Sequence, residues 1–239
     1  MESDVRTASQ PGETTQPPPK APNLLQRVGM VYFAPARLGE ALRGRSPWFW
    51  TLALVVAVSV VLILLMPPEL LLEAAQRSAR GREGAPQMKA TQLRAFSTIG
   101  TLFLFVFAAI VAGVLYLLFN IVFGLSEVTY KQHLSVVAHA WWITLLGSVI
   151  AFPLQLAQQD PTLRLGFGLL LGDEPSTFLG HFLQNVTLFG IWAGVAMAAM
   201  ESGLSRGKVT VGKGAAAILV LYLVVAAVMG AFQMMMGQS

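Results

Sequence analysis

The sequence predicts an all-α, polytopic transmembrane helical bundle with five membrane-spanning helices. Five apolar stretches without Asp, Glu, Lys or Arg, about 47–68, 95–126, 132–159, 175–200 and 214–239, fill most of the 239-residue chain. Each contains the roughly 20 residues that a helix needs to cross a bilayer. Hydrophobic residues make up 55% and charged residues only 12%, about half the charged share of an ordinary soluble domain. The net charge of +4 is concentrated rather than spread, with 11 of the 16 basic residues before or just after the first apolar stretch. That distribution reads as topology determinants and headgroup contacts, and it argues against a nucleic-acid partner.

The chain divides into a polar, disordered tail (1–23), an amphipathic segment expected to be interfacial (24–46) and a five-span domain (47–239). The tail carries Glu2, Asp4, Glu13 and the run Pro17, Pro18, Pro19, with no apolar core of a signal peptide. In the second segment Leu24, Leu25, Val28, Val31, Tyr32 and Leu38 supply apolar surface, and Arg27, Arg37, Arg43 and Arg45 supply charge. Pro35 is expected to split it into two short helices. The apolar side then faces the membrane and the arginines face lipid phosphate.

The first span is placed at about 48–66, with Ser46 as N-cap, Pro47 in the first turn, Trp48 and Trp50 as interfacial anchors, and Pro67-Pro68 as the stop. A polar connector, 69–94, holds a short amphipathic helix ending near Gly81. The second span (about 96–120) is rich in Phe, with Ala109 and Gly113 as a small-residue face. The third (about 134–157) carries His139, Trp141, Trp142 and Pro153. A second connector holds Asp160, Arg164, Asp173 and Glu174 around an apolar run, 165–171, that is too short to span. The fourth and fifth spans are placed at about 182–201 and 215–236, joined by a loop with Arg206, Lys208 and Lys213.

With the N-terminus inside, the inner segments carry 6, 1 and 3 Lys or Arg and the outer ones 5, 1 and 0. The bias of 10 to 6 favours a cytoplasmic N-terminus and an external C-terminus.

Three segments resemble the Yip1 domain family in its prokaryotic branch, over about residues 25–236. They are Tyr32-Phe33-Ala34-Pro35 followed by Arg37-Leu38, the junction running from Gly124 through Tyr130-Lys131-Gln132 to Val136, and Leu188-Phe189-Gly190-Ile191-Trp192 followed later by Gly203-Leu204-Ser205. The resemblance implies a five-span membrane domain with a cytoplasmic N-terminus, here in a prokaryotic cytoplasmic membrane. Eukaryotic relatives are linked to vesicle traffic and small GTPases, and that role is not carried over. Many relatives have Asp or Asn where this chain has Thr187, so an acidic role there does not transfer.

Chemistry inside the bilayer is not expected. The absence of Cys excludes thiolate catalysis and Cys-ligated metals. His133, His139 and His181 have no ligand-like spacing, no hydrolase motif occurs, and His139 is read as the one ionisable group within a span. The chain is therefore expected to be non-enzymatic, without cofactor or metal. Lipid or partner contacts are assigned to Arg27, Arg37, Arg43, Arg45, Glu127, Tyr130, Lys131 and Arg206. Lys131 is expected to meet lipid phosphate or Glu127, four residues earlier, and Glu201 to join Arg206 in a surface patch. Asn120, His139, Asn185 and Thr187 are read as polar helix contacts. The expected role is to organise membrane lipids, partner proteins or copies of itself. The alternative is a small-solute permease or channel-like transporter acting as an oligomer, with Asn120, Thr144, Gln155, Asn185 and Thr187 along its route.

Overall fold

The computed structural model describes residues 21–79, 89–171 and 177–237. The expectations for Gly81, Asp173 and Glu174, and for all but the last three residues of the 1–23 tail, lie outside these. The described chain is helical, with one isolated bridge between Gly166 and Thr187 as its only β pairing.

Two short helices open the fold, α1 (Leu24–Phe33) and α2 (Pro35–Ala41). Asn23 and Gln26 cap α1 reciprocally, each side chain accepting from the other's backbone N–H at 2.9 Å. Pro35 takes the first position of α2, which its locked φ favours. The first long helix, α3 (Trp48–Leu65), differs from expectation at its start. Ser46 makes no side-chain cap; its carbonyl accepts from Trp48 N–H, and Thr51 Oγ1 closes the turn on Pro47 O. Pro67 and Pro68 end α3 and begin α4 (Pro68–Ala79).

The chain returns through α5 (Ala90–Leu102), α6 (Leu104–Tyr116) and a π-helical segment (Leu117–Val122). This crossing begins six residues before the expected boundary, drawing Thr91, Gln92 and Arg94 into the helix. Next comes α7 (Tyr130–Gln158), which runs through Pro153 and ends at Gln159 in the left-handed region. It is the centre of the bundle. In its most apolar window 61% of residues are buried, against 17–22% in the other three long helices. Those outer helices present apolar faces outward, as lipid contact requires.

The expected fourth span is two helices, α8 (Phe178–Asn185) and α9 (Leu188–Leu204), with non-helical backbone at Val186 and Thr187. Free backbone groups inside a membrane need protein partners, and Tyr222 supplies them. Its hydroxyl donates to Asn185 O at 2.9 Å and accepts from Thr187 N–H at 3.0 Å. Val186 O accepts from Phe167 N–H at 2.9 Å, in a loop beside a short 3₁₀ turn (Phe167–Leu171). The last helix, α10 (Val211–Gly237), lies antiparallel to α9.

Four crossings, 48–65, 90–122, 130–158 and 211–235, are long and apolar enough to span a membrane. At 17 residues, α9 covers about 25 Å, and α8 packs along the remaining part of the same α10. The result is an all-α bundle of about five spans. The start of α3, the π segment, the start of α7, the end of α9 and the start of α10 share one end with α2.

Candidate functional site

Most of the buried polar residues among those described lie toward the α2 end, with Thr101 at the α5–α6 junction as an exception. Construction starts at the junction before α7. Thr129 N–H donates to Gln132 Oε1 at 2.8 Å, satisfying one of the free donors of a helix start. The same Gln132 donates from Nε2 to Leu42 O, just past α2, at 3.2 Å. Tyr130 Oη donates to Ala109 O on α6 at 2.8 Å. The Tyr-Lys-Gln junction thus ties α7 to both α2 and α6.

One residue on, His133 is fully buried. Its Nδ1 lies 2.7 Å from Glu201 Oε1 on α9, and its Nε2 lies 2.9 Å from Asn120 Oδ1 in the π segment. Asn120 Nδ2 donates to Val128 O at 2.6 Å, which turns its Oδ1 toward the imidazole. With Asn120 Oδ1 as its acceptor, Nε2 is the donor of that contact, and Nδ1 faces the Glu201 carboxyl. Glu201 is also fully buried, and its Oε2 has no partner among the described residues. Tyr116 meets the imidazole edge-on, with ring centres 5.9 Å apart, and Phe119 lies 6.2 Å away. The π segment matters here: wider turns shift the side-chain register, and they end with Asn120 on His133.

Two expectations are corrected at this point. Glu201 is not in a surface patch with exposed Arg206; it faces inward to His133. His139 is not the one ionisable group within the bundle, because His133 on α7 and Glu201 on α9 are also buried there. His139 Nδ1 donates to Ser135 O at 2.6 Å, and its Nε2 lies 3.4 Å from Thr51 Oγ1 on α3.

Outside the buried cluster, α2 crosses α9 at close range. A Cβ on Gly39 would collide with the Met200 carbonyl, and one on Gly203 with the Ala36 carbonyl. Only glycine permits this approach. Arg43 Nε donates to Gly203 O at 2.8 Å and its Nη2 shares that acceptor, placing a cation at the C-terminal end of α9. In α1, Tyr32 Oη donates to Trp142 O at 2.7 Å. The α1–α2 segment is therefore docked on the bundle, although Leu25 and Phe33 stay exposed.

The remaining predicted contacts divide clearly. Arg37, Arg45, Lys131 and Arg206 are exposed at the α2 end. Arg27 is partly buried, its Nε without a partner among the described residues, and burial lowers its pKa. Glu127 does not pair with Lys131. It precedes α7, so the two share no helical face, and it meets Lys208 Nζ at 2.7 Å instead. The hydrogen bond and charge of Lys208, helped by Arg206, hold the Glu127 carboxyl below its ordinary range. Asn185 and Thr187 lie far from this end, at the α8–α9 break. Asn185 Nδ2 donates to His181 O and to Gln233 Oε1, at 2.8 and 3.0 Å. Thr187 Oγ1 accepts from Gly190 N–H at 2.9 Å as the N-cap of α9.

Charge-poor helices, an outward apolar surface and internally satisfied backbone define a multi-pass integral membrane protein. The sequence model of the Yip1 domain covers residues 29–234, so the chain belongs to that family. No curated relative and no solved structure matches it significantly.

Proposed function

We propose that the chain is a non-enzymatic membrane organiser whose working surface is the α2 end, turned to the cytoplasm. One observation carries this reading: a rim of exposed cations, Arg37, Arg45, Lys131 and Arg206, stands on a rigid base. The Gly39–Gly203 crossing, the Arg43 bond and the Gln132–Leu42 bond hold that base. A fixed array of positive charge suits an anionic surface, either acidic lipid headgroups or an acidic patch on a partner. Near an anionic leaflet each Lys or Arg contributes about 1 kcal/mol. The basic residues just before α3 also fit a cytoplasmic placement.

Internal bonding supports this reading over a solute pathway. Asn120, Asn185 and Thr187 direct their polar atoms at protein partners. Of the residues on the expected route, only Gln155 lines the cavity between α3 and α7, and its Nε2 is bonded to Pro161 O and Leu163 O.

The test is crosslinking and affinity purification of the full chain from native membranes, beside a variant with Arg37, Arg45, Lys131 and Arg206 changed to Gln. The expected result is a reproducible set of co-purified proteins or acidic lipids that the variant loses while keeping its thermal stability. Equal recovery from both would remove the rim from the proposal. Solute flux through reconstituted vesicles, abolished by changing Asn120 or Asn185, would favour the permease.

A further inference from the structure

The bundle is tight in one half and open in the other. On α3, Thr51, Leu52, Val55 and Val56 are buried, and burial lessens from Ser59 onward. On α7, residues 132–140 are all buried, whereas Ser148, Val149 and Ile150 are exposed. The two helices part where those buried runs end. A cavity of about 260 Å³ lies there, in the half away from α2, between Leu62, Ile63 and Met66 on one side and Phe152 on the other. Leu71 of α4 and Pro161 close its end.

Its chemistry is set by what the lining leaves free. Ser59 Oγ donates to Val55 O and Ser148 Oγ to Thr144 O, each within its own helix. Gln155 Nε2 donates to Pro161 O and Leu163 O. These donors are committed and most of the lining surface is apolar, so an occupant finds few polar partners. The volume falls below the roughly 300–1,000 Å³ of sites for drug-sized solutes, and suits a flexible hydrocarbon chain. Beside it, the Arg94 guanidinium reaches Met66 O through Nη2 at 2.6 Å, and its Nε is buried without a partner among the described residues. Met66 belongs to the cavity wall. A cation with an unspent donor therefore stands next to an apolar slot at the membrane edge.

We propose that this groove is a phospholipid site: one acyl chain enters between α3 and α7, and the phosphate is held by Arg94. Arg matches phosphate through its planar fork. The site would retain its lipid when the surrounding annular lipid is washed away.

The test uses the full chain in vesicles of phosphatidylethanolamine and phosphatidylglycerol doped with a phospholipid bearing a photoreactive group in its acyl chain. Adducts are expected in the peptides around residues 59–71 and 148–161. After detergent washing, native mass spectrometry should show one phospholipid held per chain. Arg94→Gln should lower that retention about tenfold, as loss of a charged hydrogen bond requires. Ser59→Leu with Ser148→Leu should fill the slot and remove both signals, while Val228→Leu on outward-facing α10 leaves them intact. Adduct mapping on the unaltered chain does not depend on how the variants fold. Adducts spread evenly over α10 and the groove, or equal lipid retention in all variants, would overturn the proposal.

Discussion

Glu201 shows how a single residue can change its meaning between sequence and structure. As the last charge of an apolar run it reads as an interface residue, because charge normally marks where a span leaves the membrane. The structure places it three residues before the end of α9, facing His133. A signal was present. Asn120 and Glu201 lie within a few residues of the C-terminal ends of their helices and His133 within a few residues of the N-terminal end of its own, so alternating topology brings them to one level. Their partnership also required the register of the π segment, which local composition does not encode. Removing one member strands the other, so Glu201→Leu or His133→Leu alone should cost about 3–5 kcal/mol. The double replacement should cost much less than the sum, because neither member of the His133–Glu201 pair is left stranded, while the loss at Asn120 Oδ1 is common to His133→Leu and the double and cancels. Thermal or denaturant unfolding in detergent measures the non-additivity; additive losses would contradict the pairing. At the surface, Glu127 behaves differently. Its folded-state pKa is depressed, so its contribution is present above the ordinary value of 4.5 and lost as pH falls through the lower folded value. The pair is exposed, so high salt should weaken that acid-side loss. Melting curves against pH for the unaltered chain and Glu127→Gln should diverge above that range and converge below it.

Among the elements, the continuous helices were legible and the interruption was not. Long apolar runs bounded by Pro47 and Pro67 locate α3 to within a residue or two. The early start of α7 was readable in principle, since Thr129 and Gln132 have the spacing of a capping box. The α8–α9 break has no proline at its centre, and its main stabiliser, Tyr222, is 35 residues away from Thr187. Thr187 was the one local clue. Asp and Asn, expected there from the family resemblance, share with Thr the ability to cap a helix, so the position keeps its capping chemistry without an acid. Tyr222→Phe should expose two backbone groups to an apolar surrounding, cost about 1–3 kcal/mol and speed amide exchange at 185–188. Unchanged exchange there would show that the hydroxyl does not hold the break. At the other end, Gly39→Leu must displace α2 from the Met200 carbonyl. Overpacking of this kind costs about 1–3 kcal/mol, and limited proteolysis at 42–47 should rise while the long helices remain protected.

For the molecule as a whole, the pattern of five apolar runs carries the architecture, because a bilayer makes length and composition decisive. What the runs conceal is the division of labour between the two ends. One end is closed by polar bonds and rimmed with cations; the other splays into an apolar groove beside Arg94. That division requires α8 and α9 to complete a crossing together, since otherwise α10 would begin on the wrong side. The chain has no cysteine, so single-cysteine labelling in intact cells or inverted vesicles has no background. Cysteines at Ser46, Ser126 and Thr210 should react with a membrane-impermeant thiol reagent from the cytoplasmic side alone, and those at Gln76 and Thr162 from the opposite side alone. Labelling of Ser126 and Thr210 from opposite sides would contradict the five-span arrangement and the shared working surface built on it.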